Sequence, residues 1–132
     1  SCSQKNVLRG LHFTKSKPQS QIVIVIRGRV FDVVVDIRKD SPTFRQWFGS
    51  ELSSEGPRQI YMPHGFAHGF CVLSDVADFQ YKCTDFYYPE DECGLIWNDP
   101  DVGIEWPVVN PYLSDKDIGL PTLQQLRKET NS

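Results

Sequence analysis

The chain has 132 residues, 39% of them apolar and 23% charged, which suits one globular domain and excludes a disordered chain. Its 14 basic and 17 acidic residues leave a net charge of −3, without the basic excess that general nucleic-acid binding requires. No apolar run is long enough for a membrane span, so neither nucleic acid nor a membrane is expected as a partner.

In chain order, the sequence opens almost at once on VLRGLHF, a start expected of a short protein or of a fragment. Gln21 to Ile26 (QIVIVI) has the make-up of a strand, broken at Gly28. Arg29 to Ile37 (RVFDVVVDI) alternates with period two. Phe31, Val33, Val35 and Ile37 fall on one face, and Val30, Asp32, Val34 and Asp36 on the other. Further strands are predicted at Trp47 to Leu52, Arg58 to Met62, Phe66 to Leu73, Phe79 to Asp85 and Gly94 to Trp97. Turn-rich segments such as SSEGP and YYPEDE separate them. Many short strands with turn signals between them predict an all-β sandwich or barrel. Only the tail reads as helical: after Pro121, Thr122 is placed to cap a short helix with Leu123 and Leu126 inward. No repeat or linker interrupts the chain, so residues 1–132 are expected to form a single domain.

Aromatic residues, 12% of the chain, often stand beside Gly, Pro or His, a placement common in ring-lined pockets. All three histidines lie in such segments: His12 in RGLHF, and His64 and His68 in PHGFAHGF. Imidazole takes up and releases a proton near neutral pH, so each is a candidate base as well as a candidate structural residue. His64 and His68 are four apart, but on a strand that spacing spans roughly 13 Å, too far to share a metal. No metal site is therefore expected. Tyr81, in FQYKC with Phe79 and Cys83 on its face, is a core residue or a proton donor. Asp117, in LSDKD, reads by default as a surface carboxylate. Asp32 interrupts an apolar strand and needs a partner if buried, for which a histidine is suited. The four cysteines form no CxxC pair and are expected to be reduced thiols of a cytoplasmic protein. The residues alone thus describe a β-barrel pocket suited to proton transfer and leave the substrate open.

Six segments stand in an order that resembles the dTDP-4-dehydrorhamnose 3,5-epimerase family: RGLHF (9–13), VFDVVVDIRKDSPTF (30–44), PHGFAHGFCVLSD (63–75), FQYKCTDFYYP (79–89), IWNDPDVGIEWP (96–107) and LSDKD (113–117). The likeness covers nearly the whole chain. It implies a cupin-like jelly roll of two antiparallel sheets, an enzyme without metal or cofactor, and a cytoplasmic homodimer. The substrate it implies is a nucleotide-linked 4-keto-6-deoxy sugar, inverted at C3, C5 or both. By motif match His12 resembles the base, Asp117 the carboxylate that orients it, and Tyr81 the acid on the opposite face. His68 resembles a second pocket histidine with Asp32 as its partner, and Arg9 a substrate-binding arginine.

Two departures from the family pattern stand out. Gln21 occupies the place of a lysine that helps stabilise the enolate oxygen, and the family's N-terminal segment is expected to be missing. An epimerase of a single centre, or one using a CDP- or GDP-linked sugar, is the nearest alternative. A non-catalytic cupin that binds sugar nucleotides is the alternative of another class, and a metal-dependent cupin oxygenase a further one.

Overall fold

The computed structural model describes residues 2–14, 20–62, 65–83 and 92–130, with the side chains of 2, 81–83, 92 and 127–130 excepted. Among these, nine strands and two short helices follow one another: β1 (Cys2–Gln4), β2 (Leu8–Thr14), β3 (Gln21–Arg27), β4 (Arg29–Asp36), β5 (Trp47–Ser53), β6 (Gln59–Met62), β7 (Phe66–Val72), β8 (Val76–Cys83), β9 (Glu92–Gly94), α1 (Asp115–Ile118) and α2 (Leu123–Thr130). The strands form two antiparallel sheets, ordered β1-β8-β3-β6 and β5-β4-β7-β2-β9, the arrangement expected of a jelly roll.

The alternation in β4 sorts its residues between two cores. Val30 joins Leu52, Phe70 and Val72 of its own sheet and Val25, Ala77 and Phe79 of the other, which fills the space between the sheets. Phe70 and Phe79 meet edge to face at 4.6 Å across that space. Replacing Phe70 with alanine would cost about 3–5 kcal/mol, because neither sheet can collapse into the void. Val33 and Val35 face the other way and join Leu11, Ala67, Leu95 and Leu123. That second core is covered by the chain after β9, where Trp106 packs edge-on against Phe31 and donates its indole N–H to the Trp97 carbonyl at 2.8 Å. The five-stranded sheet is therefore covered on both faces.

The structure differs from the predicted elements where alternation is weak. β1 and β2 were not among the predicted strands; β1 has only three residues, and the pattern of β2 is broken by a bulge. The predicted strand Gly94 to Trp97 is displaced, since β9 ends at Gly94. Leu95 still exchanges both backbone hydrogen bonds with Leu11, at 2.9 and 3.1 Å, before Ile96 turns away to the Pro121 carbonyl. β8 begins at Val76, three positions before the predicted Phe79, and the expected extension to Asp85 lies outside the described residues. The helical tail is present. Thr122 and Gln125 cap each other reciprocally, Thr122 Oγ1 accepting the Gln125 N–H while Gln125 Oε1 accepts the Thr122 N–H. Leu123 is buried and Leu126 packs on the second core, as expected. The tail is not the only helix, however: α1 forms one turn over Asp115–Ile118. No helix among the described residues is long and apolar enough to cross a membrane.

Candidate functional site

The site begins with a mismatch between two strands. β2 and β7 pair Arg9 with Phe70 and then His12 with His68, so three steps on β2 match two on β7. One extra residue in a strand reverses the facing of everything beyond it. Arg9 and His12 therefore share the inner face with Phe70 and His68, although they stand three positions apart. Glycines make the bulge possible. A Cβ on Gly10 would lie 2.7 Å from both Gly69 Cα and the His68 carbonyl oxygen, and Gly10 has a φ of +119°. A Cβ on Gly69 would lie 2.8 Å from the Arg9 carbonyl oxygen. Both obstacles are backbone, so neither position accepts a side chain without moving a strand.

His12 Nε2 lies 2.7 Å from Asp117 Oδ1. The carboxylate is not the surface group that its polar surroundings predict; its side chain is only 4% exposed. Ser114 caps α1 by accepting the Asp117 N–H at 3.1 Å, and the Gly10 N–H donates to Asp117 Oδ2 at 3.1 Å. Leu120, just beyond α1, fits against Gly94, the β9 residue paired with His12. A carboxylate only accepts, so the shared hydrogen belongs to His12 Nε2, and the lone pair of the neutral ring sits on Nδ1. The ring is one-third exposed, an arrangement chemically able to take up a proton from a neighbouring molecule.

A second pair stands beside the first. His68 Nε2 lies 2.7 Å from Asp32 Oδ2, with side chains 11% and 0% exposed. Asp32 thus has the histidine partner that its buried position demands. Asp36, on the same face, is held instead by Arg38, Ser41 and Thr43. Burial alone would raise the Asp36 carboxyl, but those hydrogen bonds win and hold it well below the ordinary carboxylate range. They tie the loop after β4 to its last residue.

Arg9 is exposed on β2. Gln21 opens β3 in the opposite sheet, half-buried and in phase with the inward Val23 and Val25. Tyr81 pairs through its backbone with Val23, but its side chain, like all of His64, lies outside the described residues. Among the described residues, no group of three or more His, Cys, Asp or Glu is placed to hold a metal. Burial, only partly offset by a hydrogen bond from the Phe31 backbone, pushes the Cys71 thiol up to about 11. The structure brings the motif residues His12 and Asp117, and His68 and Asp32, together in two pairs, positioned by Gly10, Gly69, Gly94 and Ser114, which the motifs did not single out. The pattern S-x-x-D at 114–117 is a capping signal that could have revealed α1.

Residues 1–125 match the family model described as dTDP-4-dehydrorhamnose 3,5-epimerase. The chain is 56% identical over 117 residues to the dTDP-4-dehydrorhamnose 3,5-epimerase of Shigella flexneri, covering 88% of this chain and 65% of that protein. It is 53% identical over 127 residues to the enzyme of the same name from Neisseria gonorrhoeae, covering 96% of this chain and 39% of the relative. The chain therefore spans less than two thirds of the length of these relatives. Among solved structures it is similar to the Legionella pneumophila dTDP-6-deoxy-D-glucose-3,5-epimerase in complex with dTDP-4-keto-L-rhamnose. The TM-score is 0.92 and the identity 52%, over 98% of this chain and 69% of that one. On this evidence the chain belongs to the dTDP-4-dehydrorhamnose 3,5-epimerase family.

Proposed function

We propose that the chain is an epimerase that inverts C3 and C5 of dTDP-4-dehydro-6-deoxyglucose, giving dTDP-4-dehydrorhamnose through enolate intermediates. The observation that carries this reading is the His12–Asp117 pair, an imidazole held at 2.7 Å by a buried carboxylate. A 4-keto group acidifies the C–H bonds at C3 and C5, because the carbanion left behind is an enolate. His12 removes the proton through Nδ1, and Asp117 keeps the ring in the tautomer that leaves this nitrogen basic and steadies the imidazolium that forms. Tyr81 returns a proton from the opposite face, which inverts the centre. Gln21 donates to the enolate oxygen, and Arg9, His68 and Asp32 line the substrate side. No cofactor takes part.

The active form is a homodimer in the cytoplasm. Supporting the dimer, Ile22, Ile24 and Ile26 form an apolar stripe on the outer face of the four-stranded sheet, with Ile26 53% exposed and Tyr61, opposite Ile22, 60% exposed.

The test is incubation with dTDP-4-dehydro-6-deoxyglucose in D₂O, followed by NMR. Deuterium enters C3 and C5 with the wild type, and His12→Ala slows this by about 10²–10⁴-fold. Near-normal exchange in a folded His12→Ala variant would exclude His12 as the base.

A further inference from the structure

The His68–Asp32 pair is more elaborate than lining a pocket requires. His68 is the direct cross-strand neighbour of His12, and opposed residues in an antiparallel pair have Cβ atoms about 4.5–5.5 Å apart. Each ring binds a carboxylate through Nε2 at 2.7 Å, so each keeps its lone pair on Nδ1. Four groups from four elements thus form one row: Asp117 on α1, His12 on β2, His68 on β7 and Asp32 on β4.

The two ends of the row differ. Both oxygens of Asp117 are engaged, by His12 and by the Gly10 N–H, and this carboxylate is fixed. Asp32 Oδ1 is buried with no hydrogen-bond partner among the described residues. A buried carboxylate with an unused acceptor can strengthen its hold on a neighbouring cation or take a further donor.

We propose that His68 and Asp32 form a proton relay that resets His12 between the two inversions. This rests on the epimerase reading above. Once His12 has taken a proton from the first carbon it is an imidazolium and cannot act on the second. Asp117 closes it off behind, and the bound sugar covers the part of the ring that faces the pocket. In the relay, the Nδ1–H bond of His12 breaks and its electron pair stays on that nitrogen. The proton bonds to Nδ1 of His68, directly or through one water in which one O–H bond forms as another breaks. The positive charge moves next to Asp32, and His12 is neutral again. The Tyr81 phenolate left by the first inversion takes its replacement proton from solvent before the second, and His68 releases its proton to solvent when the product leaves, so protons balance over the cycle.

The experiment follows deuterium entry at C3 and C5 in a single turnover, with the full chain in excess over dTDP-4-dehydro-6-deoxyglucose. In His68→Ala and in Asp32→Asn any loss of substrate binding slows both exchanges alike, while the second exchange falls about 10²-fold further than the first. Free imidazole restores the second exchange in His68→Ala in proportion to its concentration, a response that a packing role does not give. Asp32→Asn, which preserves shape, carries the test if His68→Ala does not fold. Equal loss of both exchanges without imidazole rescue overturns the relay, as does wild-type behaviour of both variants. If the wild type exchanges neither carbon, the epimerase reading fails and the relay falls with it. A relay failure on its own leaves wild-type exchange intact.

Discussion

Replacing Asp117 with asparagine isolates what the carboxylate does for His12. The buried side chain has two jobs: Oδ2 accepts the Gly10 N–H at 3.1 Å, and Oδ1 accepts from His12 Nε2 at 2.7 Å. Asparagine keeps the shape but offers one acceptor and one donor group. If its NH₂ faced the Gly10 N–H, two buried donors would oppose each other, at a cost of about 1–3 kcal/mol. The amide therefore turns its oxygen to Gly10 and its NH₂ to His12. Nε2 must then accept, which moves the ring hydrogen to Nδ1 and removes the base. Exchange at C3 and C5 should fall by about 10²–10⁴-fold, the range for loss of a general base. Stability should change by less than about 1 kcal/mol, because Gly10 keeps its partner. Asp117→Ala, which strands the Gly10 N–H, should lose the same activity and about 1–3 kcal/mol of stability. The two measurements are deuterium exchange by NMR and urea unfolding. Exchange by a folded Asp117→Asn protein within threefold of wild type would refute the tautomer argument.

Gly94→Ala would place a methyl 2.3 Å from Leu120 Cδ2. The collision should push α1 off β9, cost about 1–3 kcal/mol and reduce exchange by more than the change in the folded fraction explains; full activity at normal stability would show that the fit of Leu120 is not what sets Asp117. Asp36→Asn should cost about 1–3 kcal/mol near neutral pH, since Arg38 is half exposed and no buried charge is stranded. The folded Asp36 carboxyl lies below its unfolded value, so its stabilisation is present above about pH 4 and is lost as pH falls through the folded value. Urea titrations of wild type and variant should therefore converge in acid. Gln21→Lys should preserve or raise turnover, since a charged donor stabilises an enolate oxygen more strongly than a neutral amide; a large loss would mean that Gln21 belongs to a rebuilt pocket. Light scattering should give about twice the 15.1 kDa chain mass, and Ile24→Glu should halve it; a wild-type monomer at micromolar concentration would contradict the dimer.

What could be read from the sequence follows from how local the cause is. β4 declared itself because both of its faces are buried against different cores, and its alternation survives in full. β2 did not, because its bulge sets Arg9 and His12 on one face and breaks the period. That bulge depends on Gly10 and Gly69, which are 59 positions apart, a relation no local window contains. Asp32 advertised its need for a partner by sitting in an apolar strand. Asp117 gave the opposite signal: four polar residues in a row read as surface, and its burial comes from α1 docking on a distant strand. Only the resemblance assigned it a role.

The same dependence on distance sets when the site can form during folding. His12 lies on the second strand, and Asp117 arrives only after all nine. The segment that carries it is held by late contacts, Leu120 on Gly94 and the Leu123 N–H on Asp99 Oδ2 at 2.7 Å. Sheets built from such remote pairings close slowly, in milliseconds to seconds, whereas one turn of helix forms far faster once it has something to dock on. On refolding, recovery of the far-ultraviolet strand signal should therefore precede recovery of turnover, and the regain of activity becomes a clock for the seating of the C-terminal segment.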